Sequence, residues 1–263
     1  MRSQGPAHVV VTGASAGLGR AIAFAYARPG AALGLIGRDR ERIDATAAIC
    51  RARGATVETG VIDVREATAV AAWLDDFDTR HPIDLLIANA GVASTIASAS
   101  DWEGLERTAH VIDTNLYGML NTVLPVVERM GSRGRGRVAM VSSLAALRGM
   151  AISPAYCASK SAIKAYGDSV RPLLARRGVR VTVILPGFVE TAMSDVFPGD
   201  KPFLWSAERA AAYIRRQLDA GRSEIAFPGV LALGMRLLSV LPAALADAIL
   251  GRLSYLPSKD RVN

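Results

Sequence analysis

Cysteine and histidine are scarce in this sequence, and their scarcity excludes several kinds of protein. The 263 residues include two cysteines, Cys50 and Cys157, which are too few to build a framework of disulfides. The three histidines, at positions 8, 81 and 110, are isolated, and no metal-ligand spacing connects them. We therefore predict neither a disulfide-stapled domain nor a metal site.

The sequence also lacks the apolar run that directs secretion. Its first residues, MRSQGPAHVVVTG, contain only the short run AHVVV before a Thr-Gly turn, which is too short for the core of a signal peptide. We therefore expect a cytoplasmic protein.

The longest apolar stretch lies near the C-terminus, over residues 230–250. It is long enough by count to span a bilayer, but Arg236, Pro242 and Asp247 interrupt it. The pattern instead predicts two amphipathic helices, broken near Pro242, within an elaboration over 229–252. Their apolar faces could cover a substrate cleft, form a subunit interface or make peripheral contact with a membrane surface.

Acidic residues are outnumbered, and the formal net charge of +7 favours an anionic partner. The basic residues are nevertheless interleaved with Asp and Glu, as in RDRERIDATAAICRAR. The densest basic cluster, GSRGRGR at 131–137, is a glycine-rich turn without aromatic residues. We predict no nucleic-acid partner, and an anionic cofactor accounts for part of the excess charge.

Short β-branched runs alternate along the chain with amphipathic helical segments, which is typical of βαβ units. The predicted strands cover 8–12, 32–37, 56–62, 83–89, 137–143, 179–185 and 224–228. Ser206 and Gly221 mark the start and the end of one of the helices between them. Without a visible linker or repeat, the pattern predicts an α/β fold over 1–263. This is a single Rossmann-type, doubly wound parallel sheet of about seven strands, with helices on both faces.

The first predicted strand leads into TGASAGLGR, with glycines at 13, 17 and 19, and then into a helix. Glycine lets the backbone approach a pyrophosphate closely, and a helix N-terminus offers N–H groups to it. The alternative is a tight bend without a ligand. The spacing Gly-x3-Gly-x-Gly differs from the common dinucleotide motif Gly-x-Gly-x-x-Gly. It resembles the cofactor turn of the short-chain dehydrogenase/reductase family.

The end of the second strand, LIGRDRER, bears on the choice of cofactor. An acid at this place holds a ribose 2′-hydroxyl in NAD sites, whereas a nearby Arg accommodates the 2′-phosphate of NADP. Gly37 stands where we place the acid, and Arg38 follows it. Asp39 would be the acid if the register slipped by two residues; otherwise it is a helix N-cap. We expect NADP(H), with NAD(H) as the alternative.

Tyr156 and Lys160 are spaced i, i+4, so on a helix their side chains lie on one face. A phenol with a pKa near 10 is a poor acid/base at neutral pH, and a fixed ammonium lowers that pKa. Ser143 ends a predicted strand thirteen residues before the tyrosine, where its hydroxyl can reach the phenol. Its neighbour Ser142 should point to the opposite face of the strand.

Together with Asn115 in VIDTNLYG and the Pro-Gly of VILPGFVET, these residues resemble the same family over residues 7–195. The resemblance implies that Tyr156 is the general acid/base and that Ser143 hydrogen-bonds the reacting oxygen. Lys160 would bind the ribose of the nicotinamide and lower the tyrosine's pKa. Asn115 would bend its helix and hold, through its main-chain carbonyl, a water connected to Lys160.

The resemblance also implies a set of residues that line the cofactor, from the adenine across the pyrophosphate to the nicotinamide. These are Gly13, Ser15, Ala16, Gly17, Leu18, Gly19, Arg38, Asp63, Val64, Asn89, Ala90, Gly91, Tyr156, Lys160, Pro186, Gly187, Val189 and Thr191. Asp63 and Val64 would touch the adenine, and Thr191 would hold the nicotinamide carboxamide.

Residues 188–210 contain a Pro/Gly-bearing stretch with Met193, Phe197, Phe203 and Trp205. We interpret it as a mobile lid over a bulky, apolar ketone or alcohol. The alternative is a loop whose aromatic side chains only pack on the domain.

The sequence therefore predicts an NADP(H)-dependent oxidoreductase that interconverts a carbonyl and a secondary alcohol. Its alternative is a non-catalytic dinucleotide-sensing or regulatory protein, for which loss of the tyrosine or the lysine would be typical. The family resemblance implies a homodimer or homotetramer.

Overall fold

Seven short strands form one parallel sheet in the computed structural model of the chain, which describes residues 5–96, 98 and 100–252. The strands are β1 (His8–Thr12), β2 (Ala32–Gly37), β3 (Thr56–Val61), β4 (Leu85–Ala88), β5 (Gly136–Val141), β6 (Val179–Pro186) and β7 (Glu224–Phe227). Their order is β3-β2-β1-β4-β5-β6-β7, so the winding reverses between β1 and β4. The predicted doubly wound fold is confirmed. The predicted domain's ends, residues 1–4 and 253–263, lie outside the described residues.

The helices cover both faces of the sheet. They are α1 (Gly17–Tyr26), α2 (Arg40–Ala52), α3 (Ala67–Arg80), α4 (Leu105–Ile112), α5 (Gly118–Ser132), α6 (Pro154–Ala175), α7 (Ala192–Asp195), α8 (Ala207–Asp219), α9 (Gly229–Val240) and α10 (Ala243–Arg252). Successive side chains of a strand point to opposite faces. Val9 and Val11 therefore pack with α1, α2 and α8, while Val10 between them packs with α3, α5 and α6.

Polar side chains fix several element boundaries. The Asp39 carboxylate accepts a hydrogen bond from Arg42 N at 3.0 Å. Asp39 is therefore the N-cap of α2, which is one of the two roles considered for it from the sequence. Ser206 caps α8 in the same way, and Gly221 follows the helix with a φ of 73°. Strand β5 ends earlier than predicted, because the backbone turns into a 3-10 helix over Leu144–Ala146.

The C-terminal segment forms the two helices predicted from the sequence. The chain breaks at Leu241 and Pro242, between α9 and α10. The inner side chains of α9, Ala232 and Met235, are buried against Leu144 and strand β6. Its outward side chains remain exposed: Val230, Leu233, Leu237 and Val240. Of the helices in the described ranges, none combines the length and the apolar character needed to cross a bilayer.

Candidate active site

A cavity of about 910 Å³ lies at the carboxyl ends of the strands, where the winding of the sheet reverses. Open α/β sheets bind their ligands at this point. All the cofactor-binding residues expected from the sequence line this cavity, and so does Ser143. Asn115 is the exception among the predicted site residues, because it lies behind the cavity wall.

The turn after β1 is built for a close ligand. Gly13 and Gly17 have positive φ values of 67° and 52°, and a Cβ atom on Gly19 would lie 2.2 Å from the Gly13 carbonyl oxygen. At the start of α1, no side chain caps the helix and its first turn holds no acidic residue. Its N–H groups and positive dipole end therefore fit the pyrophosphate of a dinucleotide.

The turn after β4 is fastened to β1. Asn89 Nδ2 donates to the Thr12 carbonyl oxygen at 3.0 Å. Thr12 Oγ1 accepts hydrogen bonds from the backbone N–H groups of Asn89 and Ala90, at 3.1 and 3.2 Å. These bonds attach the Asn-Ala-Gly turn to β1 in the cavity wall, beside the glycine turn.

Two arginines and an aspartate border the end of the cavity where the adenine is expected. Arg38 Nη1 lies 3.7 Å from Asp63 Oδ2, and Arg42 also lines the cavity. Asp63 is bound by Arg65, whose hydrogen bonds hold the pKa of that carboxyl below its ordinary value. A Cβ atom on Gly37 would lie 3.0 Å from Ser15 Oγ, so an acidic side chain there would crowd the turn.

The phenol of Tyr156 is buried in the first turn of α6, with 8% of the residue exposed. Burial raises its pKa to about 12, although a hydrogen bond with Ser143 acts in the opposite direction. The pKa of the phenol is thus raised by burial, and the expected lowering by Lys160 stays a prediction. Desolvation is the largest cause of the shift, and the Lys160 ammonium lies 5.7 Å from the centre of the tyrosine ring. The phenol consequently carries its proton at neutral pH.

Lys160 is also buried, and its Nζ donates to the Val141 carbonyl oxygen at 3.0 Å. Burial lowers the pKa of this ammonium to about 8. A Cβ atom on Gly91 would lie 3.4 Å from Nζ, so the glycine leaves the lysine open to the cavity.

We expect Lys160→Met to stabilise the chain near pH 7 in the absence of cofactor. The unfolded lysine binds its proton up to about pH 10.5 and the folded one only to about 8, so stability rises with pH across that window. Below it the buried charge costs roughly 3 kcal/mol, and loss of the bond to Val141 offsets part of the gain. Urea unfolding near pH 7 should show a gain of about 1–3 kcal/mol that shrinks near pH 10.

Lys164→Met is the matched control on the same helix. Its ammonium pairs with Asp168 and Glu224, so the same substitution should give no stabilisation there. A less stable Lys160→Met protein near pH 7 would contradict the cost assigned to the buried ammonium.

The two neighbouring serines after β5 have different partners. The Ser142 hydroxyl donates to the Lys160 carbonyl oxygen at 2.6 Å and so ties α6 to the strand. The Ser143 hydroxyl, by contrast, lies beside the phenol of Tyr156, accepts a hydrogen bond from Ala145 N at 3.1 Å and donates to the Pro186 carbonyl oxygen at 3.4 Å. The contacts therefore favour Ser143 as the partner of the tyrosine.

Asn115 lies in a π-helical segment, Asp113–Tyr117, between α4 and α5, and the bend expected there stays a prediction. Its fully buried side chain accepts a hydrogen bond from Val92 N at 2.7 Å. It also donates to the Val92 carbonyl oxygen and to Ser159 Oγ, both at 2.9 Å. The side chain thus joins the loop after β4 to α6.

The predicted lid divides into two parts. Phe197 and Met193 line the cavity, and the Phe197 ring packs edge-on against Tyr156 with centroids 5.6 Å apart. Trp205 instead stacks on Phe227 at 5.0 Å in the core, and Phe203 is 56% exposed. Met193 and Phe197 therefore supply apolar lining and Trp205 packs on the domain, while the mobility of the predicted lid stays a prediction.

Several cavity residues were missed or left undecided in the sequence. Thr114 lines the wall, and its buried Oγ1 finds no hydrogen-bond partner among the described residues. Its place beside Asn115 was the available signal. Leu231, Met235 and Leu250 reach the cavity from α9 and α10. Covering the cleft was one of the three roles that the sequence left open for the apolar run 230–250.

A glycine turn that fits a dinucleotide, beside a buried group of Tyr156, Ser143 and Lys160, is typical of nicotinamide-dependent oxidoreductases. A family model described as short chain dehydrogenase matches residues 7–201. A Myxococcus xanthus protein described as an uncharacterized oxidoreductase is 38% identical over 246 residues, which are 93% of this chain and 96% of that protein.

Solved structures share the fold. One is a short-chain dehydrogenase/reductase from Burkholderia phymatum in complex with NAD, with a TM-score of 0.79 and 23% identity, covering 88% of this chain and 92% of that one. Another is a short-chain dehydrogenase from Sphingobium yanoikuyae in complex with NADPH, with a TM-score of 0.76 and 24% identity, covering 93% and 92%. The chain belongs to the short-chain dehydrogenase/reductase family, whose enzymes act on CH–OH and C=O groups with a nicotinamide dinucleotide.

Proposed function

We propose that this enzyme interconverts a carbonyl and a secondary alcohol on a bulky, apolar substrate, with NADP(H) as its preferred cofactor. The proposal rests on one observation. The buried phenol of Tyr156, beside Ser143, lies in a cavity whose wall continues onto the apolar helices α9 and α10.

The step that the protein's own side chains carry out is the transfer of a proton. A bound dinucleotide would supply or accept the hydride at the reacting carbon. With a pKa of about 12, Tyr156 keeps its proton at neutral pH and can donate it from Oη to a carbonyl oxygen in reduction. The Ser143 hydroxyl would donate to the same oxygen and stabilise its developing charge. Lys160 would hold the ribose next to the nicotinamide.

The preference for NADP(H) is supported by the adenine end. Arg38 and Arg42 both line it, and two guanidinium groups suit a 2′-phosphate. Asp39, the alternative acid for a ribose hydroxyl, already accepts a bond from Arg42 N as a helix cap. The solved relatives described above bind NAD in one case and NADPH in the other, so they do not separate the two cofactors.

The substrate class is supported by the side of the cavity beyond the nicotinamide site. A Cβ atom on Gly187 would lie 3.0 Å from Leu231 Cδ2, so α9 contacts the turn after β6. Met193 and Phe197 face the same space from the lid. Because these neighbours are aliphatic or aromatic, an apolar substituent on the carbonyl would bury its surface there.

Leu231→Trp should narrow this space selectively. We expect kcat/KM for a bulky apolar ketone to fall by about tenfold and that for a small ketone to stay within about threefold, because the new ring takes up substrate volume. Leu233→Trp is the control, since Leu233 lies on the outer face of α9 and is 59% exposed. Equal losses for both ketones would show that Leu231 does not select by size.

The proposed function is tested by following NADPH consumption over ketones graded by size and apolarity. Turnover that rises with apolar bulk is expected. Tight NADPH binding without turnover of any ketone would instead favour the non-catalytic sensing protein.

A homodimer or homotetramer is part of the same proposal. Light scattering coupled to size-exclusion chromatography measures the mass directly. A mass near 27.7 kDa, that of a single chain, would contradict it.

A further inference from the structure

Glu103 is a buried acid that the catalytic proposal does not use. It lies in the loop between β4 and α4, is 5% exposed and does not line the cavity. Its Oε2 accepts a hydrogen bond from Ala155 N at 2.7 Å, across 52 positions of the chain. Its Oε1 has no hydrogen-bond partner among the described residues. Burying a carboxylate costs folding free energy when only one of its two oxygens has a hydrogen-bond partner. The single hydrogen bond that it makes therefore indicates a structural role.

That bond replaces a missing helix cap. Ser153 occupies the N-cap position of α6, but its side chain does not cap the helix. Its hydroxyl donates instead to the Ser94 carbonyl oxygen at 2.5 Å. The Glu103 carboxylate therefore accepts from one of the unpaired N–H groups of the first turn, and its negative charge lies at the positive end of the helix dipole.

The loop that carries Glu103 is bound on several sides. Ile96 N donates to the Ile152 carbonyl oxygen at 2.8 Å, just before α6. Arg107 donates to the Thr95 carbonyl oxygen at 2.6 Å, and Thr95 Oγ1 donates to the Val196 carbonyl oxygen at 3.0 Å. The loop thus joins the start of α6 to the lid segment next to Phe197.

Tyr156 directly follows the residue that Glu103 holds. The position of the phenol relative to Ser143 and Phe197 therefore depends on the position of this first turn. We propose that Glu103 is a positioning residue, which fixes the first turn of α6 so that Tyr156 meets Ser143 in the cavity. Its kinetic consequence rests on the proposed function, whereas its effect on the position of the phenol does not.

The test compares Glu103→Ala with Glu103→Gln. The amide oxygen of Gln can accept the same N–H group, whereas Ala cannot. We expect Glu103→Ala to lower kcat by about tenfold with the NADPH Kd within about twofold, because a displaced proton donor reacts slowly. Glu103→Gln should retain kcat within about threefold. Glu106→Ala, on the exposed face of α4, is the control for removal of a nearby acid.

A second measurement does not depend on turnover. In protein with carbon-13-labelled tyrosine, the Tyr156 resonance can be assigned by its loss in Tyr156→Phe. It should shift in Glu103→Ala and stay in place in Glu103→Gln. Hydrogen exchange of the amides in the first turn of α6 should accelerate only in Glu103→Ala.

An unshifted Tyr156 resonance in Glu103→Ala would overturn the proposal, and so would unchanged kcat despite faster exchange. A loss of kcat as large in Glu103→Gln as in Glu103→Ala would also overturn it, because the hydrogen bond would then not be the cause. If the wild-type protein reduces no ketone, the proposed function fails alone, and the tyrosine resonance still decides the role of Glu103.

Discussion

Tyr156→Phe is expected to lower kcat for ketone reduction by about 10³-fold while leaving the NADPH Kd within about twofold. A positioned general acid contributes on the order of 10²–10⁴-fold, and the substitution removes only the hydroxyl that carries the proton. The phenol is buried against Ser143 and Phe197, so solvent cannot easily replace it as a donor. Steady-state rates and a fluorescence titration with NADPH measure the two quantities.

Tyr166→Phe is the matched control. Tyr166 lies on the same helix and is partly buried, but it does not line the cavity. It should therefore keep kcat within about twofold. If Tyr156→Phe kept more than a tenth of the wild-type kcat, another group would have to donate the proton.

Arg38→Ala is expected to raise the Kd of NADPH by about 10–100-fold and that of NADH by less than about threefold. Hydrogen bonds to charged groups contribute roughly 1.5–3 kcal/mol, and only NADPH has a 2′-phosphate to receive them. The guanidinium lies on the cavity wall, 3.7 Å from Asp63 Oδ2. Asp63 keeps its bond with Arg65 in the variant, so the wall itself should survive.

Arg40→Ala removes an exposed arginine two positions away that does not line the cavity. It corrects for the general loss of positive charge, and the NADPH Kd should change by less than about threefold. Equal weakening of NADPH and NADH by Arg38→Ala would remove Arg38 from the phosphate site and leave the cofactor preference to other residues.

Local signals in the sequence were enough for the fold and for most of the cavity wall. Short β-branched runs identified the seven strands, and several of them are nearly continuously apolar because a parallel sheet is covered on both faces. The glycine turn and the i, i+4 pair of Tyr156 and Lys160 depend on backbone conformation over a few residues. Each of these features is determined by its own short stretch of sequence, and the fold brings them into one cavity.

Signals of this kind also resolved Asp39. A cap is a contact over three residues, so Asp39 before a helical pattern was interpretable without tertiary information. The aromatic residues of the lid were not, since Phe197 and Trp205 occur in similar local sequence and yet one lines the cavity while the other packs in the core.

The sequence by itself therefore determined the sheet, the glycine turn after β1 and the order of the candidate catalytic residues. The tertiary structure determined the electrostatics of the site, because the pKa values of Tyr156 and Lys160 depend on burial by distant parts of the chain. The tertiary structure also determined which residue hydrogen-bonds Glu103 and where α9 packs beside the cavity. Both are contacts between segments far apart in sequence, and no local pattern specifies which apolar face or which helix end a distant segment will meet.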